Sequence, residues 1–332
     1  MTTERSVLFI ADEDDVQHAN AAHRRRALER LGCTVANCNL LAKPSLLGRL
    51  RAGDLPQRLE RQIDECEPEL VIVIGGRLLD EPLVDRLRSR SRARWVNWLP
   101  DDLRTVKSAT ALARPYDLIY AIGTDVAAEI SEQLGRTVDV LRAAADPSVY
   151  RPIRTRDQYR ANVVFAGTAT PRRERLLAEL VEFGLAIWGP GWRKTALRDY
   201  CRGEAAHTEE YINAYGGASV AINIHHAAVE GDLPEASCNL RLFELAAMGL
   251  PQVVDDRGDL ARCFVPGEEV VTFAEPFELK AAVRELLEDP AHAARLGERA
   301  RQRLLRDHTW MHRMQCLLAE QPRVGGGVKG ET

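Results

Sequence analysis

No two cysteines stand at CxxC spacing anywhere in the 332 residues. The seven thiols (Cys33, Cys38, Cys66, Cys201, Cys238, Cys263, Cys316) are scattered and odd in number, which argues against both a disulfide framework and a zinc site and leaves reduced thiols. No apolar run approaches the roughly 20 residues that cross a bilayer. The opening MTTERSVLFIADEDD has no signal-peptide architecture, so a cytoplasmic protein without a membrane span is expected. Neither sign of charge prevails: 45 Lys+Arg against 49 Asp+Glu gives a net charge of -4, too balanced for a dedicated nucleic-acid binder. GxGxxG does not follow the first apolar run, which counts against an NAD-dependent enzyme. The adjacent His225 and His226 lack third and fourth ligands at metal spacing, so neither metal nor cofactor is expected.

What the chain does have is a repeated alternation of short apolar runs and helical stretches. Ser6 to Ala11 is a strand; Ala19 to Leu31, closed by Gly32, is a helix; Thr34 to Ala36 is the next strand. The apolar runs at Leu70 to Ile74, Trp95 to Leu99, Leu118 to Ile122 and Val138 to Leu141 read as strands buried on both faces of a parallel sheet. Their loops gather at the carboxyl edge, where open α/β folds bind ligands. Three groups there are candidates for a base or hydrogen-bond donor toward an acceptor: His18, Asp101 and Asp102. Each also has a plainer reading, surface placement for the histidine and helix capping for one of the aspartates. The cluster Asp12 to Asp15 reads as a helix cap rather than a metal-binding DxD. Around Ala143 to Pro152 the pattern breaks into turn residues and two prolines, which marks a linker between residues 1–150 and 151–306.

A second strand-and-helix series starts at Asn162 to Ala166. The loop that follows it begins at Gly167 and ends in Arg172 and Arg173, small residues for close backbone approach and then two guanidiniums for anionic oxygen. Gly189, Gly191 and Trp192 form a tight loop at a strand's end, either an ordinary turn or a surface on which a flat base lies. Val220 to Ile224 delivers His225 and His226, one of them a candidate partner for a nucleotide or transferred group. The centre of the chain is NLRLFELAAMGLPQVVDD, a helix with a glycine stop followed by a buried strand. Asn239 caps the helix start. The backbone there, at Leu240, and the fork of Arg241 are suited to phosphate oxygens, while Glu244 one turn on is suited to the two hydroxyls of a ribose. An amphipathic helix with a solvated Arg and Glu fits the same pattern.

The succession FAGTATPRRERLL, IWGPGW, ASVAINIHH, NLRLFELAAMGLPQVVDD and ARCFVPGEEVV, continuing to DHTWMHRM, closely resembles the C-terminal domain of group-1-type glycosyltransferases, in particular the CgeB-like spore-maturation branch. WLPDD and AAADPSVYRP echo it in the first half. The resemblance implies an α/β protein of the GT-B fold, two Rossmann-like doubly wound domains facing across a cleft. The second would hold a nucleotide-sugar and the first the acceptor. Residues 307–322 would form a helix crossing back to the first domain, ahead of a disordered tail at 323–332. It further implies that Glu244 meets the ribose, that a second family glutamate falls on Ala236 with Glu235 one position off, and that the family's phosphate-binding Arg and Lys fall on Thr168 and Arg173. Arg241 then stands in for the missing Arg, and IWGPGW matches the base-side turn. The implied activity is metal-independent, configuration-retaining transfer of a sugar from a nucleotide-diphosphate sugar to a small-molecule or glycan acceptor, by a monomer or homodimer. A non-catalytic nucleotide or sugar binder of spore or envelope assembly, and an epimerase or hydrolase on the same fold, are the competing readings.

Overall fold

The computed structural model describes residues 5–12, 20–41, 54–99, 106–205, 207–226 and 236–319. In the first lobe the chain runs β1 (Ser6–Ala11), α1 (Asn20–Arg30), β2 (Thr34–Asn39), α2 (Leu55–Cys66), β3 (Leu70–Ile74), α3 (Glu81–Arg88), β4 (Arg94–Trp98), α4 (Val106–Ala113), β5 (Leu118–Ala121), α5 (Thr124–Leu134) and β6 (Asp139–Val140). These strands form one parallel six-stranded sheet in the order β2-β1-β3-β4-β5-β6. Every residue of β3 is buried, because helices cover both faces of the sheet. β2 runs past the expected Ala36 to Asn39 because β1 continues beside it, Cys38 opposite Ile10. Helix starts are set by local chemistry: Asp54 and Asp80 cap α2 and α3 through Gln57 N–H and Leu83 N–H, each with proline in the first turn.

The second lobe runs β7 (Ala161–Ala166), α6 (Pro171–Ala178), β8 (Leu185–Trp188), β9 (Cys201–Gly203), α7 (Thr208–Gly216), β10 (Ala218–Asn223), α8 (Leu240–Ala247), β11 (Gln252–Asp255), β12 (Val271–Phe273), α9 (Pro276–Glu288) and α10 (Pro290–Asp307). Its sheet is again parallel and six-stranded, ordered β12-β11-β10-β7-β8-β9. The strand sequence therefore reverses direction between β7 and β10, the switch point at which such sheets open a crevice. A last helix, α11 (Trp310–Ala319), lies against α1 of the first lobe. Among the described residues no helix is long and apolar enough to cross a membrane.

The lobes are tied together by polar contacts. Asp259, almost fully buried, accepts from Thr124 N–H at 2.8 Å and Thr124 Oγ1 at 3.0 Å, so a second-lobe carboxylate caps first-lobe helix α5. His308 donates from Nε2 to the Cys263 carbonyl (2.8 Å) and accepts at Nδ1 from Arg313 (2.9 Å), whose remaining donors reach the Arg142 and Ala143 carbonyls. In the layer between α1 and the first sheet, the Arg24 guanidinium lies 4.7 Å from the Trp98 ring centre and 4.5 Å from that of Trp310. Two such contacts contribute roughly 1–4 kcal/mol together. Withdrawing an ion from water costs several kcal/mol even after relaxation, so the stacking does not offset the burial.

Candidate active site

At the switch point the loops leaving β7, β8 and β10 are pressed together. Gly189 has φ +134°, and a Cβ there would lie 2.2 Å from the Gly167 carbonyl oxygen, so only glycine lets the two loops touch. Gly191 packs on Ala169, whose N–H donates to the Pro190 carbonyl at 2.9 Å. Thr170 caps α6 through Arg173 N–H, and Pro171 takes its first turn.

Two guanidiniums converge on this ledge. Arg173 is buried, with Nε and Nη2 donating to the Ile224 carbonyl (3.2 and 2.7 Å) and Nη1 to the Thr168 carbonyl (2.9 Å). Arg241 projects from the first turn of α8, and its Nε is buried with no hydrogen-bond partner. Both stand over the same Phe165 ring, at 5.2 and 5.5 Å, and a Cβ on Gly167 would meet Arg241 Nη2 at 3.1 Å and Arg173 Nη1 at 3.3 Å. Burial, then the Arg241 charge, pulls Arg173 down to about 9. Burial opposes the charge on Arg241 as well, yet Tyr215, Tyr211 and Glu244 outweigh it and hold that pKa above its usual value. Two adjacent buried cations with donors left over make a place for an anion.

One turn along α8, Glu244 is buried, with Oε2 accepting from Tyr211 Oη at 2.8 Å. Burial first and then the Glu244 charge raise the Tyr211 phenol well above its ordinary range, so it stays protonated and donates. Tyr150, from the segment between the lobes, feels the same carboxylate and packs edge-on to Tyr211 and to His23 of α1. The carboxylate therefore sits where the lobes meet, with acceptor capacity beyond the Tyr211 bond.

Residues 172–319 match a family model described as glycosyl transferase-like. Over the whole chain the fold superposes on sucrose-phosphate synthase from Thermosynechococcus elongatus with a TM-score of 0.66 at 15% identity, covering 95% of this chain and 98% of that one. This is the GT-B fold. A second GT-B structure, Anabaena HepE in complex with UDP-glucose, gives a TM-score of 0.66 at 13% identity over 95% of this chain and 100% of the other. By sequence the chain is 28% identical over 253 residues to glycogen synthase from Mycobacterium tuberculosis, 70% of this chain and 60% of the relative. It is 22% identical over 209 residues to spore protein CgeB from Bacillus subtilis, 58% of this chain and 66% of that protein. The chain thus spans about 60% of the length of the mycobacterial relative. Together these matches relate it to the group-1 glycosyltransferases, more distantly to the CgeB branch.

Several residues expected at the site make contacts within the protein. Trp192 is fully buried, edge-on to Phe165, and its indole N–H donates to the Gly167 carbonyl at 2.7 Å, so it braces the ledge instead of offering a face to a base. The His225 ring is held from both sides. Its Nε2 accepts from Asn239 N–H (3.0 Å), which puts the proton on Nδ1 facing Asp255 Oδ1 (2.6 Å), so both ring nitrogens are used. Arg172 pairs through Nη2 with Asp255 at 3.0 Å, and its Nη1 is buried with no hydrogen-bond partner among the described residues. Burial raises the Asp255 pKa, but His225, Arg257 and Arg172 outweigh it and hold the carboxyl well below the usual range. His226 is the exposed member of the histidine pair, and partial burial, then Arg173 and Arg241, pull its pKa down. Asn239 spends its side chain on Leu242 N–H (3.1 Å) and a reciprocal amide pair with Asn223, while the Leu240 side chain packs among apolar residues of both lobes. His18, Asp101, Asp102, Glu235 and the 323–332 tail lie outside the described residues. Among the described residues no group of three or more His, Cys, Asp or Glu is arranged to hold a metal ion. A cavity of about 910 Å³ opens on the first lobe, but its lining charges Asp80, Glu81 and Arg86 are engaged with Leu83 N–H, Arg114 and Glu60.

Proposed function

We propose that the chain is a glycosyltransferase that moves a sugar from a nucleoside diphosphate sugar to an acceptor hydroxyl or amine, with no metal ion and with retention of anomeric configuration. The observation that carries this is the pair Arg173 and Arg241 over one phenylalanine ring at the switch point. When the sugar–oxygen bond breaks, charge builds on the leaving diphosphate. Fixed guanidinium donors aimed at that charge lower the barrier, each by roughly 3 kcal/mol in comparable sites. Glu244 Oε1, the oxygen not bound to Tyr211, receives the ribose hydroxyls, which sets the nucleotide's direction along α8. His226, uncharged at neutral pH, gives the departing phosphate or the sugar a hydrogen bond without adding to the cationic repulsion. In the retaining course the acceptor enters on the face the diphosphate leaves, and its proton passes to a phosphate oxygen.

The UDP-glucose bound by HepE makes uridine diphosphate sugars the first donors to try. Nucleoside diphosphate release is followed for a panel of nucleotide-sugars with and without candidate acceptors, and the anomeric configuration of the product is read by NMR. Acceptor-dependent release supports transfer. Release that ignores the acceptor indicates a hydrolase, and nucleotide affinity without turnover a binding protein.

A further inference from the structure

Among the described residues Arg24 differs from the other buried arginines in having ring contacts but no hydrogen bond or ion pair. Arg173 and Arg313 spend their donors on backbone carbonyls, and Arg257 pairs with Asp255. Arg24 is 5% exposed, yet no described carboxylate pairs with it, and its Nε has no hydrogen-bond partner. Among the described residues the indole N–H groups of Trp98 and Trp310, the T-shaped ring pair against which it lies, are likewise buried and unpartnered. Burial lowers its pKa only to about 10, so the cation persists at neutral pH. Arg241, at the nucleotide ledge, shares the unpartnered Nε.

The position is equally telling. Trp98 ends β4 at the carboxyl edge of the first sheet, Trp310 opens α11, and Arg24 follows His23, whose ring packs against Tyr150 beside Glu244. The unpaired charge therefore lies in the first lobe, one residue along α1 from the His23 ring that packs on Tyr150. We propose that Arg24, with Trp98 and Trp310, anchors an oxyanion of the acceptor, a phosphate or carboxylate group, so that the substrate taken by the first lobe is a small anionic molecule. The guanidinium fork receives two oxygens of the group side by side, and the indole N–H groups supply further donors. This deepens the transferase reading and rests on it.

Thermal melting is measured in increasing inorganic phosphate and, separately, acetate for the wild type, Arg24→Met, Arg24→Lys and Arg241→Gln. Because the Arg173–Arg241 ledge also accepts anions, the Arg24 variants are compared in the Arg241→Gln background, where the expected result is a saturable rise in Tm whose anion affinity is weakened at least tenfold by Arg24→Met and less by Arg24→Lys. Without anion, Arg24→Met melts no lower than the wild type, because an uncompensated buried charge has gone. A stronger response to phosphate identifies a phosphorylated acceptor, one to acetate a carboxylate. An anion response unchanged by Arg24→Met in that background, a response lost in Arg241→Gln alone, or an Arg24→Met protein melting many degrees lower overturns the assignment. Nucleotide affinity, measured on the same proteins, separates the two ideas: intact nucleotide binding with no Arg24-dependent anion response defeats only the acceptor site, whereas absent nucleotide binding in the wild type defeats the transferase reading.

Discussion

The two lobes share one architecture and differ in how their carboxyl edges are finished. In the second, two loops touch through backbone and Arg173 ties in a third at the Ile224 carbonyl, while two cations stand over Phe165. In the first, the described edge holds a guanidinium against an edge-to-face pair of indoles whose donors have no acceptor among the described residues. The lesson is that one edge has its cations fixed in place by surrounding protein groups, while the other keeps buried donors without acceptors among the described residues. Preorganised charge needs no rearrangement at the moment of reaction.

Breaking that contrast has its largest effect at Arg241. Arg241→Gln should lower turnover about 10²–10³-fold, measured as steady-state nucleoside diphosphate release, because a donor aimed at the leaving group is lost. Gly189→Ala should cost roughly 3 kcal/mol or more in denaturant unfolding, since φ strain is joined by collision with the Gly167 carbonyl. The first-lobe counterpart Gly135→Ala, with φ +64° and nothing within 4 Å, should cost only about 1 kcal/mol. Equal costs would show that the second-lobe loops are not packed as described. At the junction, His308 is buried and neutral, with a pKa lowered to about 4 by burial and then by Arg313. The unfolded chain takes up that proton below about 6.5 and the folded chain does not. Stability is therefore complete above pH 6.5 and falls as pH drops toward 4, by about 2 kcal/mol at pH 5. His308→Gln should flatten that slope. The smallest effect is expected from Glu244→Gln, about 1 kcal/mol in ribonucleotide affinity, with little change for the 2′,3′-dideoxy analogue. Equal loss for both would remove Glu244 from the ribose.

Strand and helix order, and the ledge from Gly167 to Arg173, were readable because a buried parallel strand, a small-residue loop and a capped helix leave local marks. What fails to show locally is direction. His225 and His226 are neighbours leaving one strand, and only Asp255, 30 residues later, decides which is consumed. An indole beside two glycines reads alike as platform or brace until the Gly167 carbonyl is found against it. Tyr211, in the half-polar helix α7, had no signal marking it as the partner of Glu244. Arg24 and His23 lie in NAAHRRRALER, where neighbouring arginines look uniformly solvated. β9, three residues ending in glycine, is too short to carry a period.

Asp259 gives the molecule a mechanical property. The same side chain that closes off the start of α5 also rivets the lobes, because both its oxygens hold Thr124. Prying the halves apart at this point must first bare the frayed end of a helix to solvent, so separation of the lobes is geared to the rupture of a carboxylate grip that is also a helix cap.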